Sequence, residues 1–268
     1  MKRHGYLRRP DCSIYYEVMG EGPAIVFAHG LGGNQLSWWQ QFAHFSARHT
    51  CVAFAHRGFT PSSAVPGASA PDAYADDLAA LIDELNLQDL RLVAQSMGGW
   101  TCLEYALRHP AKVKALVMAC TSGAVDPGAV PGFGKAEFAA WMKRAGEMNA
   151  AMEARGVLAA GGARLAREQP ALAMLYRQIY HLNADDFRAA VRGRIRAMRT
   201  QPPTRLAKLP MPVLFLNGEE DSVFPTPAGP GLASFAPQGR HVSVAMAGHS
   251  VYFERADEFN RIVEEFIS

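Results

Sequence analysis

Short apolar runs alternate with stretches of helical period along most of the chain. Ser13–Val18 reads as a strand, and Gly20-Glu21-Gly22-Pro23 as the turn that follows it. Ala24-Ile25-Val26-Phe27-Ala28 is apolar at every position, the pattern of a strand buried on both faces. Cys51–Ala55, Leu90–Ala94, Val113–Ala119 and Val213–Leu216 are similar runs, and Val242–Ala245 reads as a further strand. Between them Leu78, Leu81, Ile82 and Leu85 recur at i, i+3, i+4 and i+7, with Asp76 and Asp77 placed to favour the helix dipole. Phe259, Ile262, Val263, Phe266 and Ile267 form the same stripe near the end of the chain. Strands alternating with helices predict an α/β fold, a mostly parallel, doubly wound sheet with right-handed crossovers.

The alternation breaks between about Ser122 and Pro210, where the chain is rich in Ala, Arg and Met and shows no strand pattern. We expect residues 1–122 and 211–268 to form the core and residues 123–210 a helical cap, inserted after a core strand. Ligand sites of open α/β sheets lie at the carboxyl ends of the strands, which such a cap would cover. Charge follows the same division: Lys135–Lys208 holds 14 Lys and Arg against 6 Asp and Glu, so it carries +8 and the rest of the chain −6.

Composition narrows the class. Of 268 residues, 49% are hydrophobic and 19% charged, which suits a packed globular protein and not a disordered one. A net charge of +2 offers no basic field for nucleic acid. No apolar run approaches the ~18 residues of a membrane span, and no apolar stretch follows Lys2 and Arg3 as a signal peptide requires. Cys12, Cys51, Cys102 and Cys120 lack the spacing of a disulfide framework or a zinc site, so they are expected to be reduced residues of a cytoplasmic protein, with no metal.

Chemistry concentrates at a few strand ends. Leu90–Ala94 runs through Gln95-Ser96-Met97-Gly98-Gly99 into the helical stretch Trp100–His109. Small residues two before and two after a serine let strand and helix approach closely, and place the serine on a tight, strained turn; Ala94 takes the first small position. A serine hydroxyl is a weak nucleophile that needs a base, itself oriented by an acid. Val213–Leu216 leads into a loop holding Asp221, with Glu219 and Glu220 beside it and Asp126 as a further acidic candidate. Val242–Ala245 leads to His249. Ala24–Ala28 leads into His29-Gly30-Leu31-Gly32-Gly33-Asn34, and the backbone N–H of Leu31, paired with that of Met97, would form an oxyanion hole. The same glycine-rich loop partly matches a dinucleotide fingerprint, but Gln35 stands where its last glycine belongs.

Together, His29-Gly30-Leu31-Gly32, His56-Arg57-Gly58, Ser96-Met97-Gly98-Gly99, Gly218-Glu219-Glu220-Asp221 and Gly248-His249 make the chain resemble the α/β-hydrolase superfamily over essentially its whole length. The resemblance implies the α/β-hydrolase fold and a triad of Ser96, Asp221 and His249 acting without a cofactor. Ser-Met-Gly-Gly and the tail Glu254–Asn260 are similar to two groups: enol-lactonases with related carboxylesterases and haloperoxidases, and hydrolases of ring-cleavage products that cut carbon–carbon bonds. Ser250 stands where the second group carries Trp, and Leu31-Gly32-Gly33 where it carries Gly-Pro-Gly. Phe54–Thr60 lacks the Asp and second Gly common around Arg-Gly. A serine nucleophile also sets the chain apart from haloalkane dehalogenases and epoxide hydrolases.

The expected activity is hydrolysis of a small to medium carboxylic ester or lactone. Carbon–carbon bond hydrolysis, or a ligand-binding receptor with a slow triad, are the alternatives. Trp38, Trp39, Trp100, Trp141, Phe224 and Tyr252 are candidate substrate contacts, most of them by position beside the motif loops. Phe187, Val191, Ile195 and Met198 form one stripe of a cap helix, with Arg188, Arg192, Arg196 and Arg199 one residue round. Those arginines read either as a clamp for a substrate carboxylate or as a solvated face with stems along the apolar edge. No nucleic-acid or membrane partner is expected.

Overall fold

The computed structural model describes residues 2–68 and 70–268. The strands are β1 (Arg3–Arg8), β2 (Cys12–Met19), β3 (Ala24–Ala28), β4 (Thr50–Phe54), β5 (Ser63–Ala64), β6 (Leu90–Gln95), β7 (Val113–Ala119), β8 (Val213–Gly218) and β9 (Gly239–Val244). They form one sheet in the order β1-β2-β4-β3-β6-β7-β8-β9, with β5 paired to β2. From β4 to β9 every neighbouring pair is parallel; β2 runs antiparallel to β1, β4 and β5. Each run of uninterrupted apolar residues lies where both faces are covered, and Ile25, Val26 and Phe27 have no exposed surface at all.

Strand β1 escapes the hydrophobic pattern because it is an edge. Only Leu7 of its six residues is buried, and the strand is held by backbone pairing in the register Arg3↔Val18 to Arg8↔Ser13. Strand β9 begins three residues before the expected run for the same reason: Gly239–His241 lie on the opposite edge, half buried or exposed.

The helices of the sheet layers are α1 (Trp39–Phe45), α2 (Tyr74–Glu84), α3 (Gly98–Arg108), α8 (Ala228–Phe235), α9 (Val251–Glu254) and α10 (Ala256–Ile267). α1 packs with α10, and α2 with α3. Between β7 and β8 the chain forms α4 (Lys135–Glu153), α5 (Gly162–Glu168), α6 (Pro170–Tyr180) and α7 (Asp185–Met198), and no named strand. On α7, Val191 and Ile195 are buried as their stripe predicts. Arg188 departs from its stripe. It is 1% exposed, donates to the carbonyl oxygens of Tyr180 and Asn183, pairs with Asp185 and lies over the Tyr180 ring.

A large apolar cluster fills the sheet layers, and a second, smaller one joins α7 to the ends of the central strands. The second contains Ala55, Phe59, Met97, Trp100, Val191 and Ile195, with Leu31, Phe187 and Met198 packed against it. No helix among the described residues is long and apolar enough to cross a membrane.

Candidate active site

Ser96 sits between β6 and α3 at φ = 49°, a left-handed conformation rarely adopted by non-glycine residues. Its N–H donates to the Ala119 carbonyl at 2.9 Å, which anchors the turn to β7. The glycine at 98 is required by close approach: a Cβ there would lie 2.2 Å from the Ala28 carbonyl oxygen. Helix and strand therefore touch backbone to backbone, and the serine projects from the carboxyl end of the sheet.

Asp221 and His249 meet from the loops after β8 and β9. His249 Nδ1 donates to Asp221 Oδ2 at 2.8 Å, and both side chains are buried. Asp221 Oδ1 accepts from the backbone N–H of Val223 and of Phe224, at 2.7 and 2.8 Å, so the carboxylate is held from three directions. Glu220 is drawn away by Arg164, and Asp126 caps the following turn through the Gly128 N–H. A link from Ser96 Oγ to His249 is not among the hydrogen bonds of the described residues; such bonds commonly tighten only when substrate arrives. The amides of Leu31 and Met97 donate to no protein acceptor among the described residues.

Several supporting groups carry no motif. Gln95 Nε2 donates to the His249 carbonyl at 3.1 Å. Ser250 donates to the carbonyl of Ala160 and shares a hydrogen bond with the Tyr176 hydroxyl, tying the histidine loop to the segment before α5 and to α6. Asn149 of α4 exchanges hydrogen bonds with Ser222, next to Asp221. Beneath the glycine-rich loop after β3, His29 Nδ1 lies 2.8 Å from the Gly30 carbonyl, and its Nε2 accepts the His56 N–H at 3.0 Å. His56 Nε2 lies 2.8 Å from Thr101 Oγ1. Burial lowers the His29 pKa to about 4 and pushes that of His56 down as well, so both rings are neutral near pH 7. Each histidine stands in a motif of the sequence, but their meeting across 27 residues does not show there.

Cys120 and Glu254 stand close to the Asp221–His249 pair. Cys120 Sγ, an Asp221 oxygen and a His249 nitrogen lie within 4.8 Å of one another. That trio offers ligand types for a metal. However, burial, reinforced by the Asp221 charge, pushes the thiol pKa up, whereas coordination requires thiolate. The imidazole Nδ1 and the carboxylate already face each other, so the arrangement suits hydrogen bonding better than coordination. Glu254 is 4% exposed and accepts the Gly248 N–H at 2.6 Å through Oε1. Burial, partly offset by that hydrogen bond, raises its pKa to about 7.

The aromatic candidates scatter. Trp100 joins the second cluster beside Met97 and Leu31. Phe224 is buried beside Asp221. Trp38 and Tyr252 pack on each other with ring centroids 4.4 Å apart in the large core cluster, which also takes in Trp141. Trp39 is 48% exposed on α1.

Residues 23–256 match the model of the alpha/beta hydrolase fold family, and the chain belongs to that family. RutD of Pantoea ananatis, provisionally named a carbamate hydrolase, is 27% identical over 95% of this chain and 93% of its own length. The 3-oxoadipate enol-lactonase 2 of Acinetobacter baylyi is 28% identical over 52% of this chain and 49% of its own. Among solved structures, Est816, described as an N-acyl homoserine lactone degrading enzyme, superposes with a TM-score of 0.79 at 25% identity, over 98% of this chain and all of its own.

Proposed function

We propose that the protein is a serine hydrolase of a small to medium carboxylic ester or lactone, acting through an acyl-enzyme. The observation that carries this reading is the buried Asp221–His249 hydrogen bond, at the strand ends where Ser96 is held in a left-handed turn. His249 takes the proton from Ser96 Oγ as the oxygen attacks the acyl carbon. The carbonyl oxygen, now an anion, is received by the Leu31 and Met97 amides. The C–O bond to the alcohol breaks, and His249 returns the proton to the leaving oxygen. Water then gives a proton to His249 and its hydroxyl to the acyl carbon, the bond from that carbon to Ser96 Oγ breaks, and His249 returns the proton to Oγ as the acid leaves. Asp221 orients the imidazole and stabilises its cation. No cofactor enters these steps.

Residues 123–210 act in this reading as a cap over a core of residues 1–122 and 211–268, with α7 lining the acyl pocket opposite Met97 and Trp100. The names of the relatives and of the solved structure add lactone and carbamate substrates to the range worth testing. Four free, buried cysteines suit a reducing, cytoplasmic setting.

Turnover on p-nitrophenyl esters from acetate to decanoate, an acyl homoserine lactone, an enol-lactone, an aryl carbamate and a dienoate ring-cleavage product tests the proposal, with Ser96→Ala as control. Multiple turnovers on an ester or lactone, reduced at least 10³-fold in Ser96→Ala, are expected. Turnover of the dienoate alone would move the activity to carbon–carbon hydrolysis. Silence throughout, with no fluorophosphonate labelling of Ser96, would overturn it.

A further inference from the structure

Most arginines around the second apolar cluster are neutralised by a carboxylate. Arg205 pairs with Glu104 through two hydrogen bonds, Arg194 with Asp72 through two, and Arg108 with Asp76. Arg188 is used up by the Tyr180 and Asn183 carbonyls and by Asp185. Arg192 and Arg196 of α7 are exposed, whereas Arg199, one residue beyond α7, is half-buried. It has no ion pair and no side-chain hydrogen bond among the described residues, and its Nε is buried without a partner. Its guanidinium carbon lies 5.0 Å from the centre of the Trp100 ring, four residues after Ser96. Burial, with Arg196 adding like-charge repulsion, pulls its pKa down to about 10, so it stays charged near pH 7.

Two more donors in the same cluster lack partners among the described residues: the Trp100 Nε1–H and the Tyr74 hydroxyl, both buried. Buried polar groups of this kind are uncommon, because an unpaired one gives up its hydrogen bonds to water with nothing in return. The cluster also holds Met97 and contacts Leu31, whose amides are unpaired as well. Trp100 borders a cleft of about 320 Å³ together with Met198 and Thr200, the residues either side of Arg199, and the Asp72, Glu104, Arg108 and Arg205 side chains line its other walls.

We propose that Arg199, stacked on Trp100, is an anion subsite and that the substrate is an ester or lactone carrying a second, free carboxylate. A carboxylate presents two oxygens and about four lone-pair sites, and guanidinium grips it in bidentate fashion. The half-buried guanidinium, which feels the charge of Asp126 but has no ion pair among the described residues, then gains a direct partner, so the carboxylate adds affinity without altering the reacting carbonyl. The inference rests on the ester-hydrolase reading of Ser96, Asp221 and His249.

The test compares kcat/KM for p-nitrophenyl hydrogen glutarate and for p-nitrophenyl pentanoate, which are alike in length and differ in the terminal charge. The succinate and adipate half-esters vary the reach. Wild type is expected to favour one half-ester over its neutral counterpart by at least tenfold, chiefly through KM. Arg199→Met should abolish that ratio, and Arg199→Lys, which keeps the charge but not the fork, should leave part of it. Arg192→Met, on the exposed side of α7, should leave the ratio as it is. A ratio near one for every length in wild type, or an unchanged ratio in Arg199→Met, would overturn the subsite and leave the hydrolase standing. If neither kind of ester turns over, the hydrolase reading is what fails, and titration with glutarate by tryptophan fluorescence decides the subsite. A response shared by wild type and Ser96→Ala and absent from Arg199→Met supports it; no response in wild type overturns it.

Discussion

Removing the Asp77 carboxylate should destabilise the fold far more than a helix-dipole role would allow. Asp77 is 2% exposed and Arg57 4%, and they form a fork, Nε to Oδ2 at 2.6 Å and Nη2 to Oδ1 at 2.7 Å. Arg9 approaches the same carboxylate at 3.5 Å. In Asp77→Ala the Arg57 guanidinium keeps only Asp11, which is 42% exposed, and the Ala68 carbonyl. Breaking a buried ion pair by removing one partner costs about 3–5 kcal/mol, against about 0.3–1 kcal/mol for an acidic residue at a helix start. With an unfolding entropy of about 2.1 cal/mol/K per residue, a chain of 268 residues loses about 1 °C of Tm for each ~0.56 kcal/mol. The expected drop is therefore about 5–9 °C, read by differential scanning calorimetry at pH 7. The double variant Arg57→Met/Asp77→Leu should recover at least half of it, because replacing both charges removes the orphan as well as the pair. A drop below about 2 °C for Asp77→Ala, or singles that add without coupling in the double-variant cycle, would refute the argument.

Two buried titrations should oppose each other with pH. The folded His29 pKa of about 4 lies below the unfolded value of 6.5, so its contribution is intact above pH 6.5 and weakens as pH falls toward 4, by about 3 kcal/mol. Glu254 runs the other way: its folded pKa of about 7 exceeds 4.5, so its contribution is present below pH 4.5 and is lost as pH rises toward 7, again by about 3 kcal/mol. Glu254→Gln should therefore raise Tm relative to wild type at pH 8 by about 6 °C, a gap that closes by pH 4. His29→Asn should weaken the acid-side decline in Tm, to which His56 contributes with the same sign. Tm profiles of the two variants running parallel to wild type from pH 4 to 8 would show that neither group titrates as described.

The legible parts of the molecule were those in which one local pattern has one physical cause. Ala24–Ala28 reads as a doubly covered strand because no alternation interrupts it, and Ser96-Met97-Gly98-Gly99 reads as a strand–helix turn because only small residues permit contact with Ala28. What stayed hidden depended on partners distant in sequence. β1 has almost no apolar face and exists through its pairing with β2. Asp77 looked like an ordinary first-turn acid until Arg57, 20 residues earlier, was folded against it. Cys120 read only as a reduced cysteine, and the meeting of β7 with the loops after β8 and β9 places its sulfur against Asp221 and His249. The arginine stripe of α7 is split by the fold: Arg188 is spent internally and Arg199 faces Trp100, a division that periodicity could not foresee.

The stitching of the helical insertion to the strand-end loops bears on how new specificities could be selected. Asn149 holds Ser222, Ala160 and Tyr176 hold Ser250, and Asn183 accepts from the Thr60 amide, so α4, α5 and α6 inherit the geometry of the loops they grip. Variation there would disturb Asp221 or His249 before it reshaped a pocket. The stretch Phe187–Met198 contributes apolar side chains facing Met97 and Trp100, and its inward positions share no hydrogen bond with either loop. A library restricted to Phe187, Val191, Ile195 and Met198 should yield more active clones per variant screened than an equal number of changes spread across α4 to α6.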